Sequence, residues 1–418
     1  MMKYIAVLDL GTTGVRVLVA KITESGATHI IAKSSVACRG IRKFRIENSA
    51  EVTEAVRKVI RRIREQTDII VNSVYVSLFG SYVGYIKNTA SVDVDGEDGL
   101  VTSLHIATLL DKVESVELYE NEFLVGAVPM RYVIDNTIPA ASPFGMPAHS
   151  LRVDAQVLTA DMDFVNDVTE ALKAAGVEVD GFIPLSVAMR GLLPENDGDK
   201  STLLIDIGGS ETEFCVYFKK SIYYASAIPV GGDNITNDVA QVLNVRKEEA
   251  EGLKRDYCIA DTALVTNNVD VAIFSLSTNQ QELIKVHDIV EVMQARIEDV
   301  LRLIRDKLDA EDIQTDFIDR VIFTGDGIMG FSGLNEVCRR ILGTKQANVD
   351  FSRYTGMKSA YTYASGMVMH VASMLPYGMK QSAIEKIQMQ PEPTKSKGKG
   401  VFSSIQDKFK DLVDRLRD

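Results

Sequence analysis

The feature that most constrains the fold is a pattern that occurs twice in the chain. Near the N-terminus the sequence reads IAVLDLGTTGVRVLVAKI, and much further along it reads TLLIDIGGSETEFCVYF. Each copy has an apolar run, an Asp, one residue, a Gly, a small polar turn and a second apolar run, with Asp9 and Asp206 in matching places. Self-similarity of this kind indicates a duplicated unit. The sequence therefore predicts two related strand–turn–strand units, one in each half of the chain.

The turns of these two units suit a phosphate and a metal ion. Gly11 and Gly208 allow the backbone to approach a phosphate closely, and the amides of such a turn point at its oxygens. A carboxylate beside phosphates requires a cation between them, so Asp9 and Asp206 fit Mg²⁺ held through water. One such turn is common in proteins that bind no phosphate, but two copies can face each other across a cleft. A third turn, FTGDGIMG, can cover an adenosine or close against the phosphates.

Hydrophobic periodicity divides the rest of the chain into helices and one distinct insert. Helices are predicted at 51–64, 163–175, 237–254 and 288–308, and a strand at 320–324. Asn48 or Ser49 can cap the first helix, and Gly176 suits the C-terminus of the second. Residues 81–159 are strand-like and turn-rich, with the breaks DVDGEDG and PAASPFGMP and one helical stretch near 104–118. This change of character predicts a separate small α+β subdomain.

Composition excludes several classes of protein. A chain of 418 residues is long for one core and predicts two or more domains. Its net charge of -12 argues against extensive nucleic-acid binding, which needs a basic surface. The four Cys form no CxxC pair, which favours a reducing compartment over a disulfide framework or a zinc site. Asp9 comes too early for a signal peptide, and no apolar run is long enough to span a membrane.

The C-terminal end combines a predicted linker with an amphipathic helix. Residues 390–400 are Pro-, Lys- and Gly-rich, which is typical of an unstructured tether. In the segment VFSSIQDKFKDLVDRLRD, 401–418, the apolar residues recur at helical spacing and form one stripe: Val401, Phe402, Ile405, Phe409, Leu412, Val413 and Leu416. The charges within the helix cancel, whereas three Lys in the linker add a basic excess. The pattern predicts a helix that lies in a membrane interface; docking on its own globule is the alternative.

Taken together, these motifs resemble the actin, Hsp70 and sugar-kinase superfamily, and within it the FtsA family of bacterial cell-division proteins. The superfamily resemblance rests on the two Asp-x-Gly turns, the late Thr-Gly-x-Gly turn and the helix EEAEGLK. The likeness to FtsA rests on IPVGGDNITNDVAQVLNVRKEEAEGLK and IPLSVA, and it covers nearly the whole chain. It implies an α/β, actin-like (ribonuclease-H-like, duplicated) ATPase fold, in which two lobes flank a nucleotide cleft and an α+β subdomain is inserted.

The resemblance also implies a division into subdomains. Residues 1–80, 160–200 and about 350–385 would form subdomain 1A, and 81–159 the inserted subdomain 1C. Residues 201–230 and 310–349 would form subdomain 2A, and 231–309 subdomain 2B. Residues 390–400 would be the flexible linker, and 401–418 the membrane-targeting helix.

Carried over by position, the resemblance implies a site for ATP and Mg²⁺. The implied contacts come from three turns and one helix: Asp9, Gly11, Thr12, Thr13, Asp206, Gly208, Gly209, Ser210, Glu251, Lys254, Gly325 and Gly327. Asp9 and Asp206 would act on the metal through water. Glu251 and Lys254, three apart on one helix face, would contact the ribose and base region. Without the resemblance, that pair is better interpreted as a surface ion pair.

The chain departs from the family pattern at three places. The second turn reads GGS followed by Glu211, which puts a negative charge near a phosphate site. The third turn carries Asp326 where the family usually has Gly. Ile183 stands before Pro184, where relatives that hydrolyse ATP have a Glu or Gln, and an aliphatic side chain cannot orient water. We therefore expect nucleotide binding with slow or absent hydrolysis.

The resemblance further implies partners and a location. The family tethers the tubulin-like division protein FtsZ to the cytoplasmic face of the plasma membrane, polymerises, and meets other division proteins through the 81–159 subdomain. Arg296 lies on a helix that in the family docks the acidic C-terminal peptide of FtsZ; pairing with Glu291, Glu298 or Asp299 is the structural alternative. An actin-like scaffold of another envelope machine, such as PilM or MreB, is the competing function. A superfamily kinase is a more distant one, because it predicts a catalytic carboxylate and no amphipathic tail.

Overall fold

The computed structural model describes residues 3–23, 27–42, 45–96, 98–193, 200–328, 330–343, 346–347, 359–379 and 382–386. Residues 1–385 form one compact unit, and 386–418 a second one. Nearly all of the second unit, including the predicted linker and membrane helix, lies outside the described residues.

The first lobe is built on a five-stranded sheet. Its first four long strands are β1 (Lys3–Leu10), β2 (Gly14–Ile22), β3 (Thr28–Ala37) and β7 (Ser73–Leu78). Three short strands lie between β3 and β7: β4 (Ile41–Arg42), β5 (Arg45–Ile46) and β6 (Ile69–Val71). Helix α1 (Ser49–Thr67) precedes β6. Its start agrees with the prediction, because the Asn48 side chain accepts a hydrogen bond from the Glu51 amide at 3.1 Å. It ends at Asp68, which takes the left-handed conformation.

The segment between β7 and the rest of the first lobe forms a four-stranded sheet with one helix. Its elements are β8 (Val83–Asp93), α2 (Ser103–Val113), β9 (Glu122–Ile134), β10 (Ile138–Ala140) and β11 (Ser150–Asp161). The sheet order is β10-β9-β11-β8, so β10 and β8 are its edges. The sequence predicts a helix near 104–118, and α2 confirms the helix but ends earlier, at Val113.

The chain then returns to the first lobe. Helix α3 (Met162–Ala175) is followed by β12 (Glu178–Pro184) and α4 (Leu185–Arg190). Gly176 ends α3 with φ 82°, as the sequence predicts, since a left-handed residue there suits Gly. The completed first sheet has the order β3-β2-β1-β7-β12.

The second lobe repeats this plan. Its elements are β13 (Ser201–Ile207), β14 (Thr212–Phe218), β15 (Ser221–Ile228), α5 (Gly232–Val242), α6 (Lys247–Asp256), β16 (Asp270–Ser275), β17 (Gln280–Lys285), α7 (Val286–Ala310), β18 (Arg320–Thr324), α8 (Leu334–Leu342) and β19 (Gln346–Ala347). The sheet order β15-β14-β13-β18-β19 matches that of the first sheet strand for strand, with the same parallel and antiparallel pairings. The predicted duplication is therefore present as two equivalent sheets.

One predicted helix is wrong in an informative way. The sequence predicts a single helix at 237–254, but the structure has α5 and α6 with a break between them. The break falls at Asn244, which has φ 54°. Asn tolerates this left-handed conformation better than most residues, so it can end a helix much as Gly does.

The two lobes share one hydrophobic cluster, in addition to the cluster that each has of its own. Alternate residues of β1 point to opposite faces, and both faces are buried, as is typical of a sheet covered on two sides. On the inner face, Ile5 and Val7 belong to the same cluster as Leu204 and Ile322 of the second sheet. Helix α4 and the last described helix, α9 (Thr362–Met374), contribute to this cluster, and a final strand, β20 (Ile384–Lys386), follows. This packing places the β1–β2 turn and the β13–β14 turn on facing sides of a cleft.

Candidate functional site

The two duplicated turns line the same cavity. The β1–β2 turn contributes Gly11, Thr12 and Thr13, and the β13–β14 turn contributes Gly208 and Gly209. Asp9 and Asp206, at the ends of the two matching strands, also line it, and so do Gly325 and Asp326 after β18. Three turns that are far apart in sequence thus meet at one place, as the sequence predicts.

The turns approach so closely that Gly is required at several positions. A Cβ on Gly209 would lie 2.7 Å from a methyl carbon of Thr13, so the two turns touch across the cleft. A Cβ on Gly327 would lie 2.4 Å from the Gly208 carbonyl oxygen, which is backbone and cannot move aside. Gly325 has φ 100° and would clash with Ile207 in the same way. The glycine pattern therefore brings three backbones together around the cavity.

Arg16 is the residue that crosses this cleft. It follows the first turn on β2, directly opposite Asp9 in the strand register, and its guanidinium lies 3.4 Å from the Asp9 carboxylate. The same guanidinium is hydrogen-bonded to Asp326 of the second lobe. Burial on its own lowers the pKa of Arg16, but Asp9 and Asp326 more than offset this, so the pKa is raised. The Arg16 side chain is thus a charged link between the lobes.

Carboxylates outnumber cations at this end of the cleft. The cavity is lined by Asp9, Asp206, Glu211, Glu213 and Asp326, whereas Arg16 is the one Lys or Arg among its described lining residues. Burial raises the pKa of Asp206 to about 7, with Asp326 and Asp9 adding to the effect. Burial and Asp206 likewise raise the pKa of Glu213 to about 8. These acids therefore keep much of their protonation near neutral pH, and their ionisation at higher pH gives more negative charge than Arg16 alone can balance.

Two residues that depart from the family pattern face into this acidic region. The Glu211 side chain is buried, and its Oε2 atom has no hydrogen-bond partner among the described residues. Burial, together with Glu213 and Asp206, raises the pKa of Glu211 well above its ordinary value. Asp326 uses one carboxylate oxygen on Arg16, while its Oδ1 is likewise unpartnered within the described chain. Neither side chain points away from the cleft.

This donor set fits a divalent cation. Mg²⁺ takes oxygen ligands, usually one or two carboxylates with waters and phosphates. Asp9 and Asp206 line the cavity from opposite lobes, and the orphaned oxygens of Glu211 and Asp326 lie in the same region. A bare triphosphate does not fit, because it would add charge of the same sign; a triphosphate that carries Mg²⁺ does. Ser210 is half-buried in the second turn, with a buried hydroxyl that has no partner among the described residues, and it does not line the cavity.

A second cavity adjoins the first and contains the predicted ribose and base contacts. It shares Thr13, Arg16 and Gly209 with the first cavity and adds Gly327, Glu251 and Lys254. Lys254 is only 6% exposed, so the pair is not the surface ion pair that spacing alone suggests. Its ammonium lies 2.7 Å from Glu251 and donates to the Gly232 carbonyl at 3.2 Å.

The same pair is tied to helix α5 through Thr236. The Thr236 hydroxyl lies 2.5 Å from Glu251 and 2.9 Å from the Lys254 ammonium. Burial alone would raise the pKa of Glu251, but Lys254 and Thr236 hold it below its ordinary value. This network fixes α6 against α5 and presents Glu251 and Lys254 to the cavity.

Three other sequence predictions can be located. Ile183 is buried in the shared core and does not line the cleft; its carbonyl accepts a hydrogen bond from Tyr363. Arg296 pairs chiefly with Asp238 of α5, at 2.5 Å, rather than with its neighbours on α7, of which only Asp299 lies within 4 Å. The predicted membrane helix lies outside the described residues; none of the helices that are described is long and apolar enough to cross a bilayer.

Sequence reasoning did not pick out Arg16, Glu213 or Tyr363 as site residues. Arg16 and Glu213 each stand opposite the aspartate of their own hairpin, Arg16 facing Asp9 and Glu213 facing Asp206. The signal was available, since aligning the two copies of the motif places Arg16 and Glu213 at the same position. Tyr363 comes from α9, and no local pattern connects it to the cleft.

The duplicated sheets, the cleft between their turns and the inserted subdomain define this chain as an actin-like α/β protein. Among solved structures, a PilM–PilN type IV pilus biogenesis complex aligns with a TM-score of 0.56 at 15% identity, covering 89% of this chain and 97% of that one. MreB5 of Spiroplasma citri bound to ADP aligns with a TM-score of 0.53 at 12% identity, covering 90% and 99%. At these identities the likeness shows the fold alone.

Sequence comparison gives the family. A profile described as "Cell division protein FtsA" matches residues 203–368, and one described as "SHS2 domain inserted in FTSA" matches 80–159. The cell division protein FtsA of Neisseria meningitidis is 24% identical over 81% of this chain and 82% of its own length. That of Bacillus subtilis is 22% identical over 91% and 88%. The chain belongs to the FtsA family of cell division proteins.

Proposed function

We propose that this protein is an ATP-binding, self-associating adaptor that tethers the FtsZ ring to the cytoplasmic membrane at the division site. The observation that carries the proposal is the meeting of the two duplicated Asp-Gly turns across one cleft in a member of a cell-division family. Two such turns can hold the phosphates of one nucleotide from both sides, so that nucleotide and lobe closure are linked.

In this proposal ATP binds as its Mg²⁺ complex. The turn residues Gly11, Thr12, Thr13, Gly208 and Gly209 hold the phosphates, and Gly325 and Gly327 cover the adenosine. Asp9 and Asp206 hold the metal through water, and Glu251 and Lys254 contact the ribose and base region. Mg²⁺ supplies the positive charge that the carboxylate-rich cavity lacks.

The proposal keeps ATP turnover slow or absent. Ile183, at the position where hydrolysing relatives place a water-orienting side chain, is aliphatic and 1% exposed. A side chain of this kind neither accepts a proton nor aligns a water. ATP would then act as a ligand that sets the assembly state rather than as a fuel.

Membrane attachment is assigned to the last eighteen residues, 401–418. Their apolar stripe contains Phe402 and Phe409, and their four basic and four acidic residues cancel. Attachment is therefore mainly hydrophobic, with Lys395, Lys397 and Lys399 attracted to anionic lipid at ~1 kcal/mol each. One tail binds weakly, but many tails on one polymer bind strongly because each later tail acts at high effective concentration.

The remaining partners are assigned to the second lobe and to the inserted subdomain. The acidic C-terminal peptide of FtsZ docks near Arg296, and other division proteins bind through the 81–159 subdomain. Because Arg296 is already paired with Asp238, we expect Arg296→Ala to weaken peptide binding partly by releasing α7 from α5. Titration of the FtsZ peptide against Arg296→Ala, with Arg302→Ala on the same helix as a control, measures this role.

Liposome flotation tests the tether. Full-length protein and a form ending at Gly400 are mixed with anionic vesicles, with and without Mg-ATP. We expect the full-length protein to float, more so with Mg-ATP, and the shortened form to remain in solution. Equal flotation of the two forms would contradict the anchor assignment.

Two sets of variants separate hydrophobic from electrostatic attachment. Phe402→Glu and Phe409→Glu place a charge on the apolar stripe and should abolish flotation. Lys408→Gln and Lys410→Gln leave the stripe intact and should reduce it only modestly. The reverse order would show that charge, not burial, dominates the attachment.

A further inference from the structure

A groove lies where the inserted subdomain meets both lobes, away from the cleft between the turns. Strand β9 and the residues after β10 form one wall, from Val128 to Tyr132 and from Ala140 to Pro143. Helices α4 and α9 form the other wall, and the β14–β15 turn closes one end. The Ser221 hydroxyl donates to the Met130 carbonyl at 3.2 Å, which joins the insert to this turn. A ligand in the groove would therefore touch three parts of the molecule at once.

The charge of the groove is opposite to that of the protein. The chain carries 58 acidic and 46 basic residues, yet the described residues that line the groove include no Asp or Glu. They do include four cationic side chains, of which Arg131 is paired with Asp154 at 2.7 Å and the others come from α4 and the β14–β15 turn: Arg131, Arg190, Lys219 and Lys220. A concentration of positive charge in an otherwise acidic protein attracts anionic ligands selectively.

Arg190 is the cation that α4 contributes to the groove. It ends α4, and no described carboxylate contacts its guanidinium. Burial lowers the pKa of Arg190, and burial together with Arg190 lowers the pKa of the neighbouring His370 to about 4. His370 is thus neutral near pH 7, while Arg190 keeps its charge. A partly buried guanidinium with no counter-charge among the described residues favours binding of a carboxylate or a phosphate.

The β14–β15 turn places its lysines there against local preference. Lys219 and Lys220 have φ values of 52° and 61°. A two-residue hairpin turn with both residues in this conformation normally uses Asn and Gly. Lys at both positions costs stability locally and holds two ammonium groups at the mouth of the groove. Strain of this kind is typical of residues that are kept for a function.

Most of the other lining residues are apolar, with two serines and two tyrosines among them, and Ala140 belongs to the edge strand β10. Met369 is 44% exposed on α9, and Phe144, next to the groove residue Pro143, is 57% exposed. Ile138 on β10 is 52% exposed, and β10 is an edge strand of its sheet. Apolar contacts beside cations fit an extended peptide that alternates acidic and apolar side chains, whereas a small anion would leave these contacts unused.

We propose that this groove, named here the insert groove, binds an acidic peptide with apolar anchor residues, and that a carboxylate of the peptide pairs with Arg190. This site would be the place where the 81–159 subdomain binds other division proteins. The proposal therefore rests on the recruitment role proposed above. Binding to the insert groove needs neither nucleotide nor membrane. Its test is therefore independent of the flotation result.

Methyl NMR on the full chain provides the readout. Met130, Met369 and Met374 line the insert groove, whereas Met293 is fully buried in the second lobe. Protein labelled at the Met methyl groups is titrated with a pool of heptapeptides that carry Asp or Glu at three fixed positions and apolar residues elsewhere. A second pool with Lys or Arg at the same positions is the control ligand. We expect the three groove methyls to shift with the acidic pool only, and Met293 to remain unchanged.

Matched variants locate the charge. Lys220→Asn removes a charge and introduces a residue that suits φ 61°, so the fold is expected to persist. Lys87→Gln removes the same charge from β8, the opposite edge of the insert sheet. We expect Arg190→Gln to weaken acidic-peptide binding about tenfold or more, Lys220→Asn severalfold, and Lys87→Gln not at all.

Three results would overturn the proposal. One is the absence of groove-methyl shifts with the acidic pool at millimolar concentration. Another is equal binding by Lys220→Asn and Lys87→Gln. The third concerns the acidic segment PENDGD, 194–199, which follows Arg190 in the sequence. If neutralising its acidic residues shifts the groove methyls while the acidic pool does not, the occupant is the chain's own segment.

Discussion

The two halves of the molecule have the same order of strands but differ at the residue that lies opposite the aspartate of the repeated motif. In the first hairpin Asp9 faces Arg16, and in the second Asp206 faces Glu213. The first pair is an ion pair, whereas the second places two buried acids side by side. The duplication thus places a side chain opposite the aspartate in each hairpin. The identity of that side chain, Arg16 or Glu213, sets the charge of the pair. One half supplies the cleft's cation, and the other supplies buried acids that add negative charge as the pH rises toward 8.

The largest expected effect comes from removing the cation of the first half. Arg16→Gln leaves Asp9 and Asp326 without their partner, and breaking a buried ion pair of this kind typically costs about 3 to 5 kcal/mol. Urea denaturation at pH 8 measures the loss in the free energy of unfolding. Asp326→Asn, which keeps Arg16 paired with Asp9, is the control and should cost less.

If Arg16→Gln and Asp326→Asn cost the same, the link between the lobes, rather than the balance of charge, would be the main contribution of Arg16. If Arg16→Gln leaves the free energy of unfolding unchanged, the charge difference between the two hairpins does not contribute to stability.

The opposite change in the second half should stabilise the protein. The pKa of Glu213 is raised to about 8, so the folded state holds a proton that the unfolded state releases near its ordinary pKa. Stability from this group is therefore greatest at low pH and is lost as the pH rises toward 8. Glu213→Gln, which can still accept the Gly80 amide hydrogen bond, should raise stability by about 2 to 3 kcal/mol at pH 8.

The same variant should change stability little at pH 5, where Glu213 is already protonated in the fold. Urea denaturation at pH 5 and pH 8 gives the comparison. A gain of equal size at both pH values would mean that packing rather than charge explains it, and a loss at pH 8 would contradict the account of the second hairpin.

A smaller effect is expected from Mg²⁺ alone. A cation that binds the folded state between Asp9 and Asp206 raises the thermal midpoint according to its concentration relative to its Kd. We expect a rise of a few degrees at pH 8 with millimolar Mg²⁺, and a weaker one at pH 5.5, where Asp206, with a pKa of about 7, is protonated. Differential scanning fluorimetry measures both.

Asp206→Asn should remove most of this Mg²⁺ response, while Asp154→Asn, a surface carboxylate on the insert, should retain it. A response that survives in Asp206→Asn would place the cation elsewhere.

Much of the fold could be predicted because its signals are local. The duplicated motif predicted two related strand–turn–strand units, which lie in two equivalent sheets, and Asn48 and Gly176 predicted the ends of their helices. The long helix at 237–254 was predicted wrongly because a single left-handed Asn outweighs good helical periodicity.

The site was predictable in its turns but not in its charge balance. The turn glycines and Asp9 and Asp206 have a sequence signature, whereas the importance of Arg16 and Glu213 depends on strand register. The insert groove could not be predicted at all, since Arg190, Lys220 and Met130 come from three separate segments. Proximity of that kind is a property of the tertiary fold.

The central claim is that the cleft between the two hairpins binds ATP only as a metal complex. Titration of a fluorescent ATP analogue at pH 8, with Mg²⁺ and then with excess EDTA, tests it most directly. We expect saturable binding with Mg²⁺ and loss of binding in EDTA, because the acidic cavity repels a bare triphosphate. Equal affinity in EDTA, or no binding under either condition, would contradict it.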